Sequence, residues 1–315
     1  MSENKEQIQD ELNDSVARRT RIKSNDRGLD SVEHQTHVNL ANTLINEATD
    51  IPESYEQAMR SPQAEQWKDA MNVEMESLHK NGTWKLVESC DKTPLKTKRV
   101  FKTKMDQHGN VERYKTRLVA KGCSQKAGTD YTEIFSPVAR FETIRSTLAV
   151  VAQKNWIFRQ FDIKTAFLNG EIDEEIYMHQ PDGFTDGTGR VCRLIKSLYG
   201  LKQAARAWNT TFDRFLCGFG LNQSQYDPCL YTSDRLILVL YVNDGLIAAQ
   251  SGGEADQLVR AMESKFETKT SDAQFYLGLR IERNSHTLKI HQRTYIVNLI
   301  TKFKMTNCNP VKTPA

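Results

Sequence analysis

Seven consecutive apolar residues, Leu236-Ile237-Leu238-Val239-Leu240-Tyr241-Val242, run into Asn243-Asp244-Gly245 and return through Leu246-Ile247-Ala248-Ala249. Such a run is too short to span a bilayer and is rich in β-formers, so it predicts a buried strand. Asn, Asp and Gly tolerate positive φ, which a tight turn between antiparallel strands demands. The stretch Leu236–Ala249 therefore predicts a hairpin with Asp244 at the tip of a rigid apolar ribbon, where a metal ligand could be mounted. For a lone hairpin, good turn chemistry alone is the preferred explanation of Asn-Asp-Gly.

A second acidic strand end changes those odds. Trp156 to Ile163 predicts a β-branched and aromatic strand ending near Asp162, with Lys164 to Leu168 continuing it towards Asn169-Gly170. A carboxylate among Phe161, Ile163 and Phe167 is not buried without a partner or a cation. Asp244 is the candidate partner, and two such carboxylates repel unless a divalent ion lies between them. Asp162 and Asp244 are expected to meet across neighbouring ribbons and floor a cation-holding cleft.

A net charge of +3 over 315 residues hides an asymmetry, because between Lys92 and Lys126 eleven Lys and Arg face only Asp106 and Glu112. Val100 to Lys104, a turn at Gln107-His108-Gly109-Asn110, and Val111 to Ala120 predict a two-stranded basic ribbon. Arg113, Lys115 and Arg117 alternate at period two and project from one face. Such a row suits a triphosphate or a nucleic-acid backbone, and a solvated outer face accounts for it about as well.

The six cysteines include no close pair and read as reduced thiols; His34 and His37 sit in a polar tail and receive no ligand role. No apolar signal core and no membrane-length stretch is present, which places the protein in the cytoplasm or nucleus. Residues 1–53 read as a disordered leader, since residues 1–50 contain no aromatic side chain. From Ser54, two short helices are expected to end at Asn81-Gly82, followed by a strand from Thr83 to Val87. Further helices are expected over Phe141 to Gln153, from Ala204 through Phe215, around Leu258 to Phe266, and as a last stripe at Tyr295, Leu299, Ile300 and Phe303. Ile176 to Met178, Val191 to Leu194, Phe275 to Ile281 and Leu288 to Ile290 read as strands.

Several of these runs together carry a family signature. Arg113-Tyr114-Lys115-Thr116-Arg117-Leu118-Val119-Ala120-Lys121-Gly122, Phe135-Ser136-Pro137-Val138-Ala139, Gln160-Phe161-Asp162-Ile163-Lys164-Thr165-Ala166-Phe167-Leu168-Asn169-Gly170, Lys196-Ser197-Leu198-Tyr199-Gly200-Leu201-Lys202-Gln203, Tyr241-Val242-Asn243-Asp244 and Tyr276-Leu277-Gly278 resemble the reverse transcriptase of copia-type long-terminal-repeat retrotransposons. The resemblance covers residue 54 to the C-terminus. It implies an α+β right-hand polymerase, with fingers at about 83–155, palm at about 156–282 and the start of a thumb at about 283–315. The palm would be an antiparallel sheet with helices on one side. It also implies an RNA-directed DNA polymerase acting on an RNA template, a DNA or RNA primer and deoxynucleoside triphosphates, with two Mg2+ ions or Mn2+ in their place. Localisation would be cytoplasmic, in a virus-like particle, or nuclear. Carried over by position, Asp162 and Asp244 are catalytic metal-binding aspartates. Arg113, Lys115 and Arg117 are triphosphate grips, Phe167 is an aromatic gate under the sugar, Gln203 lies near the incoming nucleotide, and Leu277-Gly278 is a primer grip.

The sequence departs from that pattern at Asn243, where the family has a metal-binding aspartate; an amide oxygen is neutral and a weaker ligand for a hard cation. Arg99 stands where tryptophan is usual, and Ala205 where proline is usual. A ribonuclease H module, expected beyond residue 315, is not in the chain, and neither is a protease or integrase, so the resemblance implies a piece of a polyprotein. Three readings follow: a polymerase domain, active or weakened; a module that grips nucleic acid without polymerising; and a genomic relic.

Overall fold

The computed structural model describes residues 51–89, 91–106, 110–284 and 287–308. The expected leader lies outside these residues except for its last three positions, and most of the expected 107–110 turn lies outside them too. In chain order the elements begin α1 (Tyr55–Arg60), α2 (Ala64–Lys80), β1 (Trp84–Val87), β2 (Thr97–Met105), β3 (Val111–Ala120), α3 (Phe141–Lys154), β4 (Ile157–Ile163), β5 (Tyr177–Met178), β6 (Val191–Leu194) and α4 (Ala204–Phe219). They continue β7 (Asn222–Gln223), β8 (Leu230–Thr232), β9 (Leu236–Tyr241), β10 (Asp244–Ala249), α5 (Gly252–Lys265), β11 (Thr268–Asp272), β12 (Phe275–Tyr276), β13 (Leu279–Arg283), β14 (Leu288–His291) and α6 (Arg293–Lys302). The chain divides into two compact units, Met1–Ser136 with Gly170–Trp208, and Pro137–Asn169 with Asn209–Ala315. The units interleave in sequence, so α3, expected with the fingers, belongs with the large sheet, and β5 and β6, expected with the palm, belong to the first unit.

In the first unit, Ser54 caps α1 by accepting from the Gln57 N–H at 3.2 Å. Helix α2 buries Trp67, Met71, Met75 and Leu78 at helical spacing. Trp67 sits edge-on to Phe101 of β2 and Tyr114 of β3, which clamps the basic ribbon to the helix. Ile51, a residue of the expected leader, packs on this same cluster. Strands β2 and β3 pair over their length, with Lys102 opposite Lys115 and Lys104 opposite Arg113. Their inner face carries Phe101, Thr103, Thr116 and Leu118. The buried Glu74 receives the Leu118 N–H at 3.2 Å, and burial pushes its carboxyl above the usual range.

The second unit is built on a six-stranded antiparallel sheet in the order β11-β4-β10-β9-β8-β7. The unbroken apolar run of β9 and β10 lacks the alternation of a half-solvated sheet, as expected for strands covered on both faces. Leu246 and Val239 share a core with Ile144 and Leu148 of α3. On the opposite face Phe161 packs with Phe212 of α4, which in turn meets Phe266 at the end of α5. Helices thus cover both faces of the sheet, not one. Gly245 sits where any Cβ would run into the ring of Phe161, so glycine is required for close approach and not for its φ.

Two strand expectations fail for local reasons. Lys164 to Leu168 does not continue β4, because Thr165 takes a left-handed φ of 51° and the chain folds into a 3-10 turn over Ala166–Asn169. Phe275 to Ile281 is two strands, because Leu277 and Gly278 both take positive φ and close a two-residue hairpin between β12 and β13. Helix α6 forms as expected but buries none of its residues.

Helix α3 has no cap of its own, since Arg140 makes no capping hydrogen bond with its side chain. Asp227, far along the chain and buried, supplies it by accepting from the Arg140 N–H at 3.1 Å and the Thr143 hydroxyl, and it also receives the Cys229 N–H at 2.9 Å. Replacing Asp227 by Ala leaves the buried Cys229 N–H and two part-buried donors unpaired and should cost about 2 kcal/mol. Urea unfolding should show a lower midpoint at unchanged slope.

Candidate active site

Strands β4 and β10 run antiparallel with Asp162 directly opposite Asp244. Across the hairpin Asp244 faces Tyr241, and on the other flank Asp162 faces Lys269 of β11. Register partners share a face of the sheet. A row of Lys269, Asp162, Asp244 and Tyr241 therefore crosses the sheet at the end of the face that packs against α3. The turn joining β9 to β10 is Val242-Asn243, with φ of 59° on Val242. Asp244 is thus the first residue of the returning strand rather than the tip of the turn.

Asn243 is tied to β4 twice. Its carbonyl oxygen accepts from the Ile163 N–H at 2.9 Å, and its side-chain Nδ2 donates to Asp162 Oδ1 at 2.6 Å. Among the described residues no such donor reaches Asp244, and burial, with the Asp162 charge adding to it, pushes its carboxyl up to about 6. Burial, with Asp244 second, also raises the Tyr241 phenol. The Tyr276 hydroxyl lies buried in the same core without a hydrogen-bond partner among the described residues, and burial drives its ionisation well above the usual range.

Asp162 and Asp244 offer hard anionic oxygens, and one or two carboxylates together with substrate phosphates suffice for magnesium. The donor set fits a divalent cation. It has one anionic oxygen ligand fewer than an aspartate at 243 would give, and among the described residues no group of three or more His, Cys, Asp or Glu side chains is placed to hold a metal.

The other sequence-derived candidates fall into two groups. In the second unit, Phe167 is half-buried in the 3-10 turn after β4, and Leu277-Gly278 forms the β12–β13 loop. In the first unit, Arg113 and Arg117 are exposed on the outer face of β3, with Lys115 half-buried between them. Burial, then the Arg117 and Arg113 charges, holds the Lys115 amine below its usual range. The Arg117 guanidinium lies over the Tyr199 ring at 5.0 Å. Among the described residues no ion pair engages Lys102, Lys104, Arg113, Lys115 or Arg117. Gln203 is 3% exposed and its amide is used internally, accepting from Gln125 Nε2 at 3.0 Å and donating to the Asp130 carbonyl at 2.8 Å. Sequence reasoning gives Lys269 no role, since it has no local signal beyond strand register, and it places Tyr276 in a strand and in the Tyr276-Leu277-Gly278 run without a role at the carboxylate pair.

A hairpin that opposes one aspartate to another at the end of an antiparallel sheet, with a basic ribbon elsewhere in the chain, suits a class of protein that handles divalent cations and polyanions. The chain belongs to the reverse transcriptase (RNA-dependent DNA polymerase) family, whose model matches residues 81–315. It is 44% identical over 84% of its length to the retrovirus-related Pol polyprotein from transposon TNT 1-94 of Nicotiana tabacum, and 36% identical over 85% to that from transposon RE2 of Arabidopsis thaliana. A truncated transposon Ty1-A Gag-Pol polyprotein of Saccharomyces cerevisiae is 26% identical over 65% of the chain. The chain spans 21%, 19% and 17% of these relatives. Reverse transcriptases generally use divalent metal ions, in keeping with the carboxylate pair. No described helix is long and apolar enough to cross a membrane.

The folded pKa of Asp244 lies above its unfolded value of 3.8, so the folded state holds this proton more tightly between about pH 4 and 6. This group's contribution to the stability of the metal-free protein therefore falls as pH rises through that window. Asp244→Asn should stabilise the metal-free fold at pH 7.5 by about 1–2 kcal/mol, screening by partial exposure included. Chemical denaturation in EDTA at pH 4.5 and pH 7.5 checks this, with the gain confined to the higher pH.

Proposed function

We propose that this chain is the polymerase part of a copia-type Pol protein, adding deoxynucleotides to a DNA or RNA primer along an RNA template, with turnover lowered by Asn243. The observation that carries the reading is the register of Asp162 against Asp244. Two divalent ions, Mg2+ with Mn2+ as a substitute, would supply the charge that steadies the attacking and leaving oxygens. Asp162 and Asp244 are the carboxylates proposed to hold them, and Asn243 contributes only a neutral oxygen. The reaction is attack by the primer 3′-hydroxyl on the α-phosphorus, with pyrophosphate leaving.

Lys115 and Arg117, with Arg113 beside them, are proposed to hold the triphosphate, which is supported by the like-charged face they form on β3, engaged by no ion pair among the described residues. Phe167 is proposed as the gate under the sugar and Leu277-Gly278 as the primer grip. Gln203, with its amide engaged inside the first unit, is proposed to act near the nucleotide by holding the Gln125 and Asp130 loop in place. We assign fingers to the first unit and palm to the second, with the chain from about residue 283 as the start of a thumb, and localisation to the cytoplasm, in a virus-like particle, or the nucleus.

The Asn243 to Asp162 hydrogen bond favours a second reading, a module that grips primer and template but does not extend. Primer extension with purified protein separates the two. Under the first reading, measurable incorporation is abolished by Asp162→Ala and rises on the order of 10²- to 10³-fold in Asn243→Asp, the equivalent of about 3–4 kcal/mol of barrier. Under the second, the parent chain shows no incorporation while binding an RNA–DNA hybrid in a salt-dependent manner. In both, Lys115→Ala with Arg117→Ala weakens binding and flattens its salt dependence.

A further inference from the structure

We propose that the Asn243 amide takes the place of a divalent cation on Asp162, so that the carboxylate pair of this chain is offset from within and its fold does not depend on metal. The inference rests on reading the pair as a metal-type reverse transcriptase centre. It concerns what this copy has done with that centre.

Asn243 is fixed by two bonds of different kinds. The Ile163 N–H to Asn243 carbonyl bond belongs to the backbone and survives any change of side chain. The Nδ2 to Asp162 Oδ1 bond, at 2.6 Å, exists only because residue 243 carries an N–H. It is a charge-assisted contact in a half-buried place, and such bonds are about twice as strong as neutral ones. An aspartate on the same backbone would bring a carboxylate towards Asp162 while Asp244 already stands opposite it in register. Three carboxylates so grouped need a cation, because like charges at this range in a partly desolvated site repel strongly.

Among the described residues the alternative sources of positive charge are few. Lys269, the register partner of Asp162 on β11, is exposed, and Lys164 is paired to Glu267 at 2.6 Å. Among the described residues the Asn243 amide is the side-chain donor in direct contact with Asp162. A cation that takes Asp162 through Oδ1 must first displace it. Metal affinity is thus traded for stability without metal, and the trade is made by a single side chain.

Thermal denaturation of the 315-residue chain and its Asn243→Asp and Asn243→Ala variants, in EDTA and across a Mn2+ series, tests this. The parent Tm should be nearly the same in EDTA and in Mn2+. Asn243→Asp should melt about 4–8 °C lower in EDTA, and its Tm should climb with the logarithm of Mn2+ concentration as a site that binds only the folded state requires. Asn243→Ala should fall between the two in EDTA and should bind Mn2+, followed by loss of the free-ion electron paramagnetic resonance signal, more tightly than the parent. If Asn243→Asp fails to fold in any buffer, the comparison of Asn243→Ala with the parent decides alone.

A parent Tm that rises with Mn2+ as steeply as that of Asn243→Asp would overturn the inference, as would equal or weaker Mn2+ binding by Asn243→Ala. Primer extension is scored separately. The predicted Tm pattern with no extension by Asn243→Asp defeats the polymerase reading and leaves this one standing; extension without the pattern does the reverse.

Discussion

Two carboxylates facing each other across antiparallel strands repel, and the second unit is built so that neither can move away. Cβ atoms of directly opposed residues lie about 5 Å apart, where two full charges at an effective dielectric constant near 20 repel by roughly 3 kcal/mol. A surface hairpin would relieve this by splaying. Here β4 and β10 are interior strands, each paired on both sides, with Phe161 seated over Gly245 and cores on both faces. Burial first, and the Asp162 charge second, push Asp244 towards its protonated form, while Asp162 accepts from the Asn243 N–H. Any incoming cation thus meets one carboxylate that holds its proton more tightly than usual and one whose Oδ1 already accepts a hydrogen bond.

The first unit repeats the principle with the opposite sign. Lys102 against Lys115 and Lys104 against Arg113 place like charges directly across a strand pair, which disfavours the pairing. The ribbon persists because its inner face is anchored by Trp67 against Phe101 and Tyr114. Packing on one face holds together a charge pattern that the other face would push apart. Such a surface gains free energy from a polyanion, as the carboxylate pair does from a cation.

The two aspartates were legible in the sequence because the signal was chemical: an ionisable residue inside an apolar strand needs a partner, and only one other strand end offered it. The basic ribbon was legible through period-two alternation. What escaped was non-local or depended on one dihedral angle. The turn fell on Val242-Asn243, one residue ahead of the strongest turn formers, because Gly245 is needed under Phe161 and so belongs to the strand. Leu277-Gly278 looked like part of a strand because leucine seldom takes positive φ. Asp227 caps a helix from far along the chain, and no local pattern marks it. Lys269 enters the acidic row only through the register of β11, and the burial of Gln203 follows from a loop that sequence patterning does not reveal.

Thr165, Val242 and Leu277, three bulky residues of the second unit, take left-handed conformations, each at a cost of order 1–3 kcal/mol that glycine would avoid. Each sits in a turn next to a residue singled out from the sequence: Thr165 two before Phe167, Val242 beside Asn243, and Leu277 before Gly278. A glycine at 242 would close the hairpin more cheaply but would leave the turn free to sample other geometries. With a β-branched residue there, the turn has few alternatives, and the Ile163 to Asn243 backbone bond fixes what remains. The side chain of residue 243 is thereby delivered to Asp162 whatever its chemistry. Whether it delivers a repelling oxygen that calls for a cation or an N–H that removes the need for one is decided by that residue alone.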